Sequence, residues 1–190
     1  MTEKHVHHGR SSRDILSAGE VLKATELKMG DIFLDAGCGD GYISIGASNI
    51  VGDNGKIFAL DVYPESIETV KNEIKKRDLN NIEAIVADVT DAIPLNENSV
   101  DSVLMANVLH GFVEGGEVGK VMANISKVLK PDGIFTIVEF RKVESTFGPP
   151  FNVRLSPDEV INILKDYGFD IEDSYEIGEY HYIVMGVKHS

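Results

Sequence analysis

The sequence predicts an α/β fold in which helices cover both faces of a largely parallel sheet. Short apolar runs alternate with helical patterns along most of the 190 residues, and this alternation is typical of βαβ units with right-handed crossovers. The first apolar run ends in a glycine-rich turn that leads into a helix. Two apolar runs close the chain around Gly178, and so short a connection requires these two strands to be antiparallel.

The composition is typical of one globular domain and argues against several kinds of partner. Hydrophobic residues make up 43% and charged residues 26% of the chain, which suits a single domain of this length. The one cysteine excludes a disulfide within the chain and a zinc site of four cysteines. No apolar run approaches the ~20 residues that cross a bilayer, so we expect a cytoplasmic protein with no membrane partner. A net charge of −13 argues against a nucleic-acid partner, because like charges repel.

The first half of the chain predicts an opening helix and then three strands with two helices between them. The opening helix runs from Ser11 to about Leu27, after a weak capping signal at residues 11–14. A later helix has Pro64 just inside its first turn, where a missing backbone N–H costs nothing. The other elements are a strand at 32–34, a helix at about 41–50, a strand at 56–61 and a strand at 82–87.

The second half predicts two more parallel strands, two helices and the closing antiparallel pair. Its clearest helix has apolar residues at helical spacing from Val118 to Leu129. Residues 140–155 have no periodicity and contain a Gly-Pro-Pro run, which indicates a loop. Residues 156–159 read SPDE, a strong helix start. The strands of this half are 100–106, 134–139, about 169–177 and about 180–187.

The glycine-rich turn after the first strand is the sharpest feature of the sequence. Residues 35–41 read DAGCGDG, and the alternate glycines let the backbone turn tightly and approach a ligand closely. The spacing differs from the G-x-G-x-x-G of dinucleotide-binding folds, because Tyr42 stands where the third glycine would be. We interpret the turn as a ligand-binding loop, and the alternative is an ordinary turn between a strand and a helix.

Two acidic residues end the next two predicted strands. Asp61 lies 20 positions after Gly41, where a carboxylate can accept hydrogen bonds from both hydroxyls of a ribose. Asp88 ends the third strand, where it could accept from an exocyclic amino group while Val89 packs on a flat base. A helix cap or a solvated turn residue is the alternative for each carboxylate.

The chain resembles a known family at these motifs. FLDAGCGDGY, ALDVYPES, IVADVTD and DSVLMANVLHGF, in that order and spacing, are similar to the successive motifs of class I S-adenosylmethionine-dependent methyltransferases. The resemblance is strongest to the small type-11 group near the ubiquinone/menaquinone C-methyltransferases, and it covers residues 27–142 well. It implies a three-layer Rossmann-like fold whose seven-stranded, mostly parallel sheet has an antiparallel last strand.

The resemblance also implies S-adenosylmethionine as the cofactor. The three glycines of the turn would surround its methionyl part, Asp61 would hold its ribose, and Asp88 with Val89 would hold its adenine. Asn107 would line the face from which the methyl group leaves. The implied cofactor-binding residues are Asp35, Gly37, Cys38, Gly39, Gly41, Asp61, Val62, Asp88, Val89 and Asn107.

Candidate catalytic residues follow the fourth and fifth strands. His110 lies three positions after Asn107, and an imidazole can take a proton near neutral pH from an acceptor that must lose one. A structural histidine that packs on the cofactor or fixes the loop is the alternative. Glu139 ends the fifth strand, and Arg141 and Arg154 flank the loop that follows, where a substrate would meet the end of a parallel sheet. An ordinary surface charge is the alternative for each of the three.

The expected protein is therefore one methyltransferase domain, residues 1–190, that acts on a small-molecule acceptor. Residues 1–28 would form a helical extension over the cofactor site, and residues 140–155 a loop on the substrate side. Three histidines near the start, His5, His7 and His8, could hold a metal ion, but histidines in a tail are usually solvated, so we expect no metal. The alternatives are an NAD(P)-dependent oxidoreductase and a non-catalytic S-adenosylmethionine-binding protein. The sequence leaves the oligomeric state open, including a homodimer.

Overall fold

A seven-stranded sheet organises the part of the protein that the computed structural model describes, residues 15–189. Its strands are β1 (Ile32–Ala36), β2 (Lys56–Asp61), β3 (Ile82–Val86), β4 (Val100–Ala106), β5 (Leu129–Phe140), β6 (Phe169–Ile177) and β7 (His181–Lys188). The helices are α1 (Ala18–Ala24), α2 (Tyr42–Val51), α3 (Pro64–Arg77), α4 (Leu109–Glu114), α5 (Val118–Val128) and α6 (Pro157–Asp166), and a 3₁₀ turn spans Phe151–Val153.

The strand order confirms the predicted topology. The strands lie in the order β3-β2-β1-β4-β5-β7-β6, with β1 to β5 parallel and β7 antiparallel to both of its neighbours. The order reverses between β1 and β4, and in open α/β sheets a crevice for ligands forms at such a point, beyond the carboxyl ends of the strands. We call this side of the sheet the carboxyl edge.

Helices on both faces bury one hydrophobic cluster each, which gives the expected three layers. One cluster packs α5 and α6 against side chains such as Phe135, and the other packs α1, α2 and α3 against side chains such as Phe33. The short helix α1 is fixed by two buried hydroxyls of the sheet. Ser102 Oγ donates to the carbonyl of Thr25 at 3.0 Å, and Thr136 Oγ1 donates to that of Ala24 at 3.2 Å.

The predicted opening helix is wrong in its bounds. The helix begins at Ala18, where the Ser17 side chain caps it, and ends at Ala24. It stops there because Thr25 and Thr136 bind its last carbonyls, whereas the sequence pattern has no terminator before Leu27. The capping signal at residues 11–14 lies outside the described residues.

Three further details differ from the sequence prediction. Helix α4 was missed because six residues are too few to show a period. Leu129 belongs to β5, where it pairs with Val100, and not to the preceding helix. The loop at 140–155 contains the 3₁₀ turn. Among residues 15–189, no helix is both long enough and apolar enough to cross a membrane.

Candidate active site

The glycine loop between β1 and α2 is open at one position and tightly packed at another. Gly37 and Gly39 have φ angles of +86° and +54°, a region that favours glycine. A Cβ on Gly37 would lie 2.6 Å from Val108 Cγ2, whereas a Cβ on Gly39 would meet nothing within 4 Å. The backbone N–H groups of Gly37 and Cys38 both donate to the Leu60 carbonyl. The loop is therefore held against the end of β2 and presents open backbone at Gly39.

Asp61 joins the end of β2 to this loop. Its Oδ2 accepts from the Gly39 N–H and its Oδ1 from the Tyr63 N–H, each at 2.9 Å. Each carboxylate oxygen has a further lone pair. Asp61 can therefore hold the loop and still accept hydrogen bonds from two hydroxyls, as the ribose interpretation requires.

The side chains of Asp35 and Cys38, both in the turn at residues 35–41, are buried. Ser44 Oγ donates to Asp35 Oδ2, and burial raises the pKa of this carboxyl to about 6, with the charges of Asp61 and Asp40 adding to the shift. Burial, with the charge of Asp35, also raises the pKa of the Cys38 thiol. Cys38 is therefore a neutral thiol that packs in the hydrophobic cluster with α1 and α2.

The residues expected at the adenine differ in how much surface they present. Asp88 Oδ1 accepts from both the N–H and the hydroxyl of Thr90, so Oδ2 is the oxygen available for an amino group. Val89 is 5% exposed and packs in the core cluster with Leu60. It therefore has little surface for a base, whereas Val62 is 43% exposed.

His110 and Glu139 form a buried pair on the other half of the carboxyl edge, where β4 and β5 end. Glu139 Oε2 lies 2.8 Å from His110 Nδ1, and Glu139 Oε1 accepts from the His110 backbone N–H at 3.1 Å. Glu139 is fully buried. In the tautomer that donates from Nδ1 to this carboxylate, Nε2 is the ring nitrogen that can accept a proton.

Asn107 directly follows β4, on the same half of the carboxyl edge as His110. Its φ angle is +58°, and its backbone N–H donates to the Val138 carbonyl at 2.8 Å. Its Oδ1 is buried and has no hydrogen-bond partner within residues 15–189. A buried acceptor without a donor is costly, so this oxygen is suited to contact a bound molecule.

The two arginines that flank the loop at 140–155 do not present a free cation to a substrate. Arg154 is buried, and its guanidinium donates to Ser145 Oγ and to four loop carbonyls, those of Pro149, Arg141, Val143 and Phe147. Arg141 pairs with Glu176 at 2.8 Å. Arg154 therefore holds the loop in place, a role that the sequence did not indicate.

Metal-binding side chains do not cluster in the described part of the chain. Residues 15–189 contain no cluster of three or more histidine, cysteine, aspartate or glutamate side chains that could hold an ion. His5, His7 and His8 lie outside these residues.

Comparison with known proteins decides between the families. A family model described as "Methyltransferase domain" matches residues 27–172. The crystal structure of a SAM dependent methyltransferase from Aquifex aeolicus superposes with a TM-score of 0.84 at 31% identity, covering 94% of this chain and 93% of that chain. The chain belongs to the class I S-adenosylmethionine-dependent methyltransferases. This result confirms the resemblance seen in the motifs and argues against the oxidoreductase alternative.

Curated relatives of this methyltransferase chain act on different molecules. A probable cobalt-precorrin-6B C(15)-methyltransferase (decarboxylating) from Methanosarcina mazei is 28% identical over 172 residues, 89% of each chain. The ubiquinone/menaquinone biosynthesis C-methyltransferase UbiE from Blochmanniella pennsylvanica is 31% identical over 167 residues, 86% of this chain and 61% of that protein. The chain spans only 57% of the length of two other precorrin relatives.

The residues of this methyltransferase fit S-adenosylmethionine. The open backbone at Gly39 gives room for the ligand, and Asn107 Oδ1 is an acceptor without a donor. The carboxylates of Asp35, Asp40 and Asp61 lie close enough together for each of the other two to raise the pKa of Asp35. Their combined field favours a ligand with a positively charged sulfur.

Proposed function

We propose that the protein transfers a methyl group from S-adenosylmethionine to a small-molecule acceptor. One observation supports this above all: the carboxyl edge places an open glycine loop with Asp61 on one half and the buried His110–Glu139 pair on the other. A binding protein without catalysis would need the first half alone. The second half gives a positioned proton acceptor, which suits an enzyme.

The proposed division of labour follows from these contacts. When bound, S-adenosylmethionine supplies an activated methyl group on a positive sulfur. The chain has to orient the donor and the acceptor in line and exclude water. Asp61 accepts from the ribose hydroxyls while it holds Gly39, and the glycine loop faces the methionyl part. Asp88 and the exposed Val62 serve the adenine.

His110 would remove the proton that the acceptor loses. Its Nε2 takes the proton from an acceptor O–H, N–H or acidic C–H as the new bond to the methyl carbon forms. Glu139 holds Nδ1 and stabilises the positive charge that the ring gains. We call His110 the catalytic residue in this proposal and Glu139 its positioning residue.

A small neutral or cationic acceptor suits this chain better than a nucleic acid. The net charge is −13, so long-range repulsion opposes a polyanion. Within the described residues, the loop at 140–155 is the element that remains to cover an acceptor. We also propose a cytoplasmic location, which the single cysteine and the 26% of charged residues support.

Calorimetric titration tests cofactor choice, and label transfer tests catalysis. We expect S-adenosylmethionine and S-adenosylhomocysteine to bind and NAD not to bind. Incubation with methyl-labelled S-adenosylmethionine and a small-molecule extract should then move label to an acceptor, and the His110→Ala variant should transfer much less. Tight NAD binding without a response to S-adenosylmethionine contradicts the proposed function. Binding without transfer to any acceptor favours the non-catalytic alternative.

A further inference from the structure

His181 is a buried histidine that neither the motifs nor the proposed reaction uses. Its side chain is fully buried, and neither Nδ1 nor Nε2 has a hydrogen-bond partner among residues 15–189. A buried polar atom without a partner costs about 1–3 kcal/mol, and such groups are rare in folded proteins. Two of them on one ring call for a functional explanation.

His181 lies on the half of the carboxyl edge that holds His110 and Glu139, where the proposed acceptor would bind. It begins β7, and because β7 is antiparallel, it lies opposite Phe140 at the end of β5. Strand β5 separates β7 from β4, so His181 lies roughly 10 Å across the sheet from β4, which ends just before Asn107. A molecule about the size of two fused rings can span this distance.

An aromatic ring packs on the unpartnered imidazole, and two more aromatic rings extend the cluster. The centroid of the Phe140 ring lies 4.2 Å from that of His181. Phe147 packs on Phe140 at 6.1 Å and on Tyr180 at 4.7 Å. Gly148 covers the Phe140 ring so closely that an added Cβ would come within 2.7 Å of it. The loop that Arg154 holds therefore closes over the rings of Phe140 and His181, and a molecule reaches the imidazole only when this loop moves.

The ring of His181 is neutral, which limits what it can recognise. Burial, with the nearby charge of Arg154, lowers its pKa to about 4. A neutral imidazole has one nitrogen that donates and one that accepts. It therefore matches a hydroxyl or a carbonyl group, whereas a carboxylate or phosphate gains most from a charged donor. The guanidinium of Arg154 is already committed to the loop.

We propose that His181 is an acceptor-binding residue, which selects a neutral hydrogen-bonding group on a planar molecule over an anionic group. The inference rests on the proposed function, because it places the acceptor beside the end of β5. It adds a second polar contact to the site, on the far side of β5 from Asn107.

A matched set of three planar probes tests this inference. We would measure the binding of 1-naphthol, naphthalene and 1-naphthoate to the protein with S-adenosylhomocysteine at pH 7.5. The expected order has 1-naphthol first. The His181→Phe variant keeps a flat ring and should weaken 1-naphthol binding about 2- to 10-fold, which is the range for one hydrogen bond. Its affinity for naphthalene should stay within about twofold, because no hydrogen bond is lost.

A spectroscopic readout separates recognition from a structural role. In NMR spectra, the imidazole carbon–proton signal that is absent from His181→Phe identifies His181. Addition of 1-naphthol should shift this signal, and addition of naphthalene should not. The variant should melt at or above the parent temperature, because it removes two unsatisfied atoms. The inference is overturned if 1-naphthol does not bind, if 1-naphthoate binds more tightly, or if the variant weakens both neutral probes equally. Failure to bind S-adenosylhomocysteine would instead contradict the proposed function.

Discussion

The ends of β1, β2 and β3 form one half of the carboxyl edge, and the ends of β4 and β5 with the start of β7 form the other. On the first half, backbone groups dominate: the open loop at Gly39 is held by the Asp61 carboxylate and the Leu60 carbonyl. On the second half, buried side chains dominate, with His110 on Glu139 and the unpartnered His181. The first half suits a ligand common to a family, and the second suits a molecule particular to one member.

This contrast explains why the two halves respond differently to substitution. A backbone cradle has no side chain to remove, so it is weakened mainly through the carboxylates that hold it. A site made of buried side chains depends on each of them, because a lost partner leaves another polar group unsatisfied. The predictions below use this difference.

The largest expected effect is a loss of turnover when His110, on the second half, is replaced. His110→Ala should lower kcat about 10²- to 10⁴-fold, which is the usual contribution of a general base. Its affinity for S-adenosylmethionine should stay nearly unchanged, because the ring lies on the other half. Steady-state kinetics with an acceptor found by label transfer, together with calorimetry, measures both quantities.

A control separates a base from a packing residue. Glu139→Gln keeps the shape of the buried partner and should lower kcat less than His110→Ala does. If His110→Ala weakens cofactor binding and leaves kcat at saturation intact, then His110 packs on the cofactor and the assignment as a base is wrong.

The next effect is on cofactor affinity, through the first half. Asp61→Ala should weaken S-adenosylmethionine binding by about 1.5–3 kcal/mol, the range for hydrogen bonds to a charged group. Asp53 is a matched control, since it is an exposed aspartate in the turn before the same strand. Calorimetry should find Asp53→Ala equal to the parent, and an Asp61→Ala variant of parental affinity would contradict the ribose assignment.

A smaller loss is expected for Asp88→Ala. One carboxylate oxygen is used by Thr90, so a single hydrogen bond to an amino group is at stake, about 0.5–1.5 kcal/mol. Parallel titrations with S-adenosylhomocysteine measure it. A loss larger than that of Asp61→Ala would reverse the order of importance that we give to the two carboxylates.

The sequence located the glycine loop and the carboxylate of the first half but not the side-chain contacts of the second half, for a physical reason. The loop at 35–41 and its acidic partner are short motifs whose conformation depends on local glycines, so their spacing alone identifies them. Glu139 contacts a residue 29 positions away, and the sequence indicates only that both follow neighbouring strands. Arg154 was expected to face a substrate, but five hydrogen bonds to its own loop engage it.

The burial of His181 could not be predicted at all. It stands in an apolar run with no motif, and the ring that packs on it belongs to Phe140, 41 positions earlier in the chain. Long-range packing of this kind leaves no pattern in a single sequence.

A separate effect, on stability and not on binding, is a crossing pH dependence between the halves. Burial raises the pKa of Asp35 from 3.8 to about 6, so the fold favours the protonated carboxyl. The stability that this group contributes is complete below pH 3.8 and is lost as the pH rises through about 6. His181 has a pKa lowered to about 4, so its contribution is present above 6.5 and is lost as pH falls through about 4.

Melting temperatures at pH 4.5 and 7.5 measure this crossing. Relative to the parent, His181→Phe should gain several degrees more at pH 4.5 than at pH 7.5, and Asp35→Asn should gain more at pH 7.5 than at pH 4.5. Equal gains at both pH values would show that the protonation of these groups is not linked to folding.

Hydrogen exchange with and without S-adenosylhomocysteine tests most directly whether the carboxyl edge is divided between cofactor and acceptor. We expect the ligand to slow exchange in peptides that contain residues 37–42, 61–63 and 87–90, at the ends of β1, β2 and β3. Peptides that contain residues 140–155 and 178–182 should exchange at the same rate in both states. Protection confined to these last two peptides, with none at the glycine loop, would contradict the division.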